Sequence, residues 1–141
     1  GTNDYMEITG IQVEISDVAT DLEHRSYGEE LALCQRYFHQ QGRQGSNGYE
    51  NFGVMAAHST TDGRLIYSLP TTMRENPTLA SNGSFQTIAG QDITGVTLPD
   101  GGGNTAVSIN FEVASGLTAL YAYMIRSKND ADAYIQFDSE L

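Results

Sequence analysis

The chain has 141 residues, enough for one domain with a real core and a short appended arm, and a formal net charge of −11. Eighteen Asp and Glu against seven Lys and Arg argue against nucleic acid and anionic membrane surfaces as partners, since phosphate binding needs a basic footprint. No run approaches the roughly 18 apolar residues of a membrane helix, no basic-then-apolar leader is visible, and one cysteine excludes an internal disulfide.

In chain order, residues 5–15 come first. Ile11, Val13 and Ile15 alternate with Gln12 and Glu14, which predicts a strand with one buried face. A lone strand is not stable, so it must pair with the rest of the chain, with another copy or with a preceding domain. The opening Gly1-Thr-Asn-Asp reads as an internal cut rather than a natural start. Residues 16–25 form a polar connector.

Residues 26–38 carry the clearest helical pattern. Ser26 and Glu29 have the S-x-x-E form of a capping box, in which hydroxyl and carboxylate each satisfy a backbone N–H that a helix start leaves unpaired. Glu29 and Glu30 lie where the helix dipole favours anions. Tyr27, Leu31, Cys34 and Phe38 fall on one face, extended by Leu33 and Tyr37, and this stripe is expected to be buried. Cys34 is accordingly expected as a small core residue rather than a catalytic thiol. Glu30 points to the same side. It is expected to need a guanidinium, from Arg25, Arg36 or Arg74, or a set of backbone N–H groups.

Residues 40–48, with three glycines and no apolar side chain, are expected to form a loop. Strands are then expected at 52–58, 64–69, 84–89, 93–98, 106–113, 117–126 and 134–137, with an extended piece near Met73 and 76–79 and turns at 61–63 and 81–83. The two apolar faces of 117–126 suit a central strand or a subunit contact. The expected fold is mainly β: an antiparallel, jelly-roll-like β-sandwich with one short N-terminal amphipathic helix. Its expected parts are an arm and connector at 1–25, a linking helix at 26–40 and a β domain at 41–141.

The search for chemistry finds no catalytic set. There is no G-x-S-x-G turn, the three histidines lack zinc-ligand spacing, and the glycine run at 101–103 lacks the G-K-[ST] ending of a phosphate loop. No cofactor is expected and the chain is not expected to be an enzyme. Two oxygen-rich turns could hold Ca²⁺, one with Asp100 and Asn104, the other with Asp130 and Asp132, although neither has an EF-hand pattern. Tyr49, Phe52 and Tyr134 are candidates for stacking on sugars, with core packing as the alternative.

Two runs resemble a segment recurrent in bacteriophage virion proteins of the tail fibre and tail spike kind: Glu7-Ile-Thr-Gly-Ile-Gln-Val-Glu-Ile-Ser-Asp-Val-Ala-Thr20 and Glu23-His-Arg-Ser-Tyr-Gly-Glu-Glu-Leu-Ala-Leu-Cys-Gln-Arg-Tyr-Phe38. The segment Pro70-Thr-Thr-Met-Arg-Glu-Asn-Pro77 and the ending Phe137-Asp-Ser-Glu-Leu141 are similar to further elements of the same family. Ser16 stands where a glycine is usual and Asp21 where a proline is usual. The stretch 78–130 carries no matching motif. The resemblance implies a carbohydrate-binding-like jelly roll ahead of the chain, then the helix, then a C-terminal β domain. It implies a homotrimer in the phage tail, with other tail proteins and a host-surface glycan or protein as partners. Two other readings compete with attachment: a capsid decoration or tail assembly protein without a receptor, and a carbohydrate-binding module of a secreted enzyme. The last generally shows exposed Trp, and this chain has none.

Overall fold

Val107, Ile109, Phe111 and Val113 recur at every second position of one strand and are all buried, so the period-2 pattern at 106–113 becomes a strand with its apolar face in the core, while Asn110 on the other face is covered too. The computed structural model describes residues 11, 13, 15–18, 20–21, 24–42, 48–99 and 102–140. Along them run α1 (Tyr27–Gln35), β1 (Phe38–Gly42), β2 (Asn51–Ala57), β3 (Asp62–Ser68), β4 (Thr78–Asn82), β5 (Phe85–Thr87), β6 (Ile93–Thr97), β7 (Ala106–Val113), β8 (Ala122–Ser127) and β9 (Tyr134–Asp138).

The protein is mainly β, and every strand pair is antiparallel. A six-stranded sheet runs in the order β5-β8-β2-β3-β7-β6. Its two ends meet at a bridge between Gln86 and Asp92, so it nearly closes into a barrel. A three-stranded sheet, β1-β9-β4, packs against it. The packing is aromatic: Phe137 of β9 stacks on Tyr67 of β3 with ring centres 5.2 Å apart, and His39 of β1 meets the Tyr67 hydroxyl at 2.8 Å. Phe111, Met55, Met73, Ile109 and Ile125 fill the interior.

β8 is central, between β5 and β2, as its two apolar faces suggest. It starts later than its pattern, at Ala122. Leu120 takes a positive φ of 68°, which breaks an extended path through 117–121. β4 continues through Ser81 and Asn82, expected as turn residues, and the reversal falls on Gly83 at φ 88°. Likewise Asp62 and Gly63 open β3 instead of forming a turn. Gln40, Gln41 and Gly42, expected in a loop, belong to β1, because β9 supplies a full ladder of partners from Phe38↔Asp138 to Gly42↔Tyr134. β1 therefore crosses the boundary expected between 40 and 41. The rest of that expected loop, residues 43–47, lies outside the described residues.

The helix starts as its sequence requires and ends early. Ser26 caps it, with the Glu29 N–H reaching the Ser26 hydroxyl at 3.3 Å and the Ser26 N–H reaching the Glu29 carboxylate at 2.8 Å. The Ser26 N–H and hydroxyl hold the Glu29 carboxyl below its ordinary range. Phe38 is not its last turn but the first residue of β1. The break follows Arg36, whose carbonyl accepts from the Arg74 N–H at 2.7 Å and from the Ser139 hydroxyl at 2.9 Å.

The burial expected of this helix is not observed. None of its residues is buried; Tyr27 is 83 % exposed, Leu31, Leu33, Tyr37 and Phe38 are exposed, and Cys34 is a free, exposed thiol. The helix is only weakly one-sided, and its apolar side chains are left partly or largely exposed. Glu30 has the expected arginine, with Arg25 Nη1 at 3.4 Å, yet both side chains are about half exposed, so the pair is a surface one. Of the strand expected at 5–15, residues 5–10, 12 and 14 lie outside the described residues. Ile11, Val13 and Ile15 are exposed and lie outside the strands.

Candidate functional site

Ser127, the last residue of β8, is fully buried and fastens a loop from the far half of the chain. Its hydroxyl accepts from the Glu50 N–H at 2.7 Å and donates to the Gly48 carbonyl at 2.9 Å, while its own N–H reaches the Glu50 carbonyl at 2.8 Å. The Asp130 N–H also donates to the Gly48 carbonyl, at 2.9 Å. Tyr49 is thus clamped on both sides along the backbone, although its side chain is 46 % exposed. Arg126 lies over its ring with the guanidinium carbon 4.9 Å from the ring centre. With its amide turned oxygen-inward, the nearly buried Gln86 accepts from Arg126 Nε and Nη2, both at 2.9 Å. An aromatic face fixed in this way loses little freedom when a ligand stacks on it.

The turn after β8 is built from the same stretch. Asn129 adopts a left-handed φ of 48°, and Asp130 caps two segments at once: its Oδ2 accepts from Ser84 N–H at 2.8 Å and its Oδ1 from Asp132 N–H at 3.0 Å. The Asn82 amide donates to the Asp132 carbonyl at 3.3 Å. Lys128 pairs with Asp92 at 2.7 Å across a shallow cleft of about 210 Å³ that Ser84 and Ile93 also line. Tyr134, half-buried, sits where β9 pairs with Gly42 and Asn82. Gly42 has φ 99°, and a Cβ there would strike the Ala133 carbonyl.

The structure therefore ties Tyr49 to the Asp130 turn through the Gly48 carbonyl, with Asp132 in the same turn and Tyr134 in the strand that follows. Phe52 is not a surface ligand residue. It is buried beneath them, edge-on to Phe85 with ring centres 5.0 Å apart, because the irregularity in β2 at Gly53 turns it into the core. Asn104 belongs to a different loop, its carbonyl held by the Met73 N–H at 2.8 Å, and Asp100 lies outside the described residues. Both carboxylate oxygens of Asp130 are already engaged by backbone N–H groups. Among the described residues no three His, Cys, Asp or Glu side chains are grouped to hold a metal. Arg126, Gln86, Lys128 and Asp92 were not visible as site residues in the sequence; only pairing across the sheet brings them to Tyr49 and the cleft.

A second polar cluster sits at the β2–β3 hairpin. The Ser59 hydroxyl bonds to Asp62 Oδ2 and His58 Nε2 lies 2.5 Å from Asp62 Oδ1. The Ser59 hydroxyl, then His58, hold the Asp62 carboxyl below its ordinary range. Ser59 gives its proton to Asp62 rather than to His58, so the trio closes a turn and does not activate a nucleophile. A third depression, about 460 Å³, runs along α1 between Thr71 and the side chains of Ala32, Leu33 and Arg36. It borders the helix's uncovered apolar stripe.

Compared with protein-family models, curated proteins and solved structures, the chain matches none.

Proposed function

We propose that this chain is the C-terminal, receptor-binding-type domain of a phage tail-fibre-like virion protein, non-enzymatic, present in three copies in the tail and attaching to a glycan on the host surface. The observation that carries this reading is Tyr49: a half-exposed ring, clamped along its backbone by Ser127 and Asp130, with the Arg126 guanidinium over one face and the other face left for a ligand. A sugar's C–H face packs on such a ring while its hydroxyls bond to amide, carboxylate and guanidinium groups nearby. The resemblance of residues 7–38 to virion proteins supplies the biological setting. Metal and cofactor are not needed for this mode of binding.

The test is a glycan array and a host-cell binding assay on the full chain beside Tyr49→Ala. Binding by the native chain that falls at least tenfold in the variant supports the reading. Equal binding by both overturns Tyr49 as the platform, and no binding by the native chain overturns attachment. The second reading, a decoration or assembly protein without a receptor, is favoured by one specific observation: the exposed apolar stripe of α1 suits a protein contact better than a sugar.

A further inference from the structure

The outer face of the six-stranded sheet is apolar where solvent-facing positions are ordinarily polar. Val54 of β2 is paired directly with Met124 of β8, and the Ile88 N–H just after β5 donates to the Met124 carbonyl at 2.9 Å. On the other side, Ala56 pairs with Arg64 of β3, and Ile66, two residues further along β3, is exposed on the same outward face as Arg64. Ile88, Met124, Val54 and Ile66 thus form one row across four strands, at 56 %, 37 %, 53 % and 68 % exposure. Ala56 and Ala122, paired with each other, widen it with two more exposed apolar side chains. Two cations flank the row: Arg64 at one side, and at the other Arg126, which contacts the uncharged Gln86 amide and Tyr49 ring.

We propose that this face receives residues 11–18 of a second copy of the chain. Three observations single out that occupant. Ile11 and Val13 are 73 % and 93 % exposed and Ile15 is fully so, so this apolar alternation finds no burial within its own copy. Second, the lengths agree. Four side chains on neighbouring strands span about 14 Å at ~4.8 Å per strand, and an extended Ile11-to-Ile15 segment spans about 13 Å at ~3.3 Å per residue. Third, the charges are complementary. Residues 1–23 contain Asp4, Glu7, Glu14, Asp17, Asp21 and Glu23 with no Lys or Arg, in contrast to the arginine-flanked row. Arm exchange of this kind buries apolar side chains on both partners while bringing an acidic segment toward Arg64 and Arg126. It rests on the multi-copy part of the proposed function and is independent of the glycan.

The experiment uses the full chain. Light scattering at tens of micromolar is run on the native protein, on Ile66→Asp and on Val13→Asp/Ile15→Asp; all three positions are exposed, and circular dichroism checks that each variant is folded. The native mass is expected at a multiple of 15.3 kDa, and both variants at that single-chain value. In a Cys34→Ser background, one chain carrying Val13→Cys is mixed with another carrying Ile66→Cys, and a two-chain disulfide is expected under mild oxidation. A native monomer, an arm variant that keeps the native mass, or the absence of the mixed disulfide each overturns the proposal. Dissociation by Ile66→Asp alone overturns the arm as occupant and assigns the face to another surface of the partner. A monomeric variant that still binds glycan, or an assembled native chain that binds none, separates this inference from the attachment reading.

Discussion

Arg126 lies over the ring of Tyr49 and is gripped from the neighbouring strand by Gln86, so one guanidinium ties the exposed aromatic loop to the β5–β8 ladder. Tyr49 and Arg126 should therefore respond differently to removal. Tyr49→Ala is expected to cost about 0.5–1 kcal/mol in stability, the worth of an exposed cation–π contact. Arg126→Ala also leaves the nearly buried Gln86 amide without its partner, at about 1–3 kcal/mol. Denaturant unfolding of the two variants should show Arg126→Ala as the less stable, while glycan binding should fall at least as far in Tyr49→Ala.

Phe137 joins the two sheets through Tyr67 and His39 and is fully buried. Phe137→Ala is expected to destabilise the fold by about 3–5 kcal/mol, as lost transfer energy and a cavity add together. Phe38→Ala, at an exposed ring in the same ladder, should cost about 1 kcal/mol or less. Equal effects at both positions would contradict the assignment of the inter-sheet core.

Burial lowers the pKa of His39 from its ordinary value, because its ring packs against both Tyr67 and Phe137. The unfolded chain then takes up this proton at a higher pH than the folded one. Stability from neutral His39 is fully present above about pH 6.5 and is lost progressively as pH falls from there through the lowered folded value. Thermal unfolding between pH 7.5 and 5 should show this decline, and His39→Gln should flatten it. Burial also raises the Tyr67 hydroxyl's pKa, so Tyr67 stays protonated throughout that range.

Cys34 is exposed on α1, and the native thiol should react with a maleimide in the dissociated chain within about tenfold of the rate in denaturant. Cys34→Ser should change stability by about 0.5 kcal/mol or less, as for other exposed positions. A labelling rate a thousandfold slower in a monomer would restore the core role expected from the helical pattern.

What the sequence discloses here follows from the range of the interactions involved. The capping box needs only residues three apart, and β7 needs only its own alternation, so both are legible. β1 is not, since Phe38-His-Gln-Gln-Gly has no strong pattern and becomes a strand through a ladder with residues 134–138. Sequence alone leaves Phe52 as either a sugar-stacking candidate or a core ring, and the irregularity at Gly53, which period-2 counting cannot register, decides for the core. The stripe of α1 shows a different limit. Periodicity reveals that a face is apolar, not whether the surface that covers it belongs to the same copy. Tyr49 was legible as an aromatic between turn residues, but the clamp of Ser127 and the grip of Arg126 depend on contacts spanning most of the chain.

β9 is the middle strand of the three-stranded sheet, and its register with β1 and with β4 is the same: Asp138 faces both Phe38 and Thr78, and Tyr134 faces both Gly42 and Asn82. During synthesis both of those strands emerge long before residues 134–138 and have no ladder in this sheet until then. The small sheet is therefore completed in one late event, which also delivers Ser139 to the carbonyls of Arg36 and Tyr37 at the end of the helix. Until that event, nascent chains carry two unpaired strand edges beside an acidic arm. A chain with this order of events cannot present a complete small sheet until residues 134–138 have emerged.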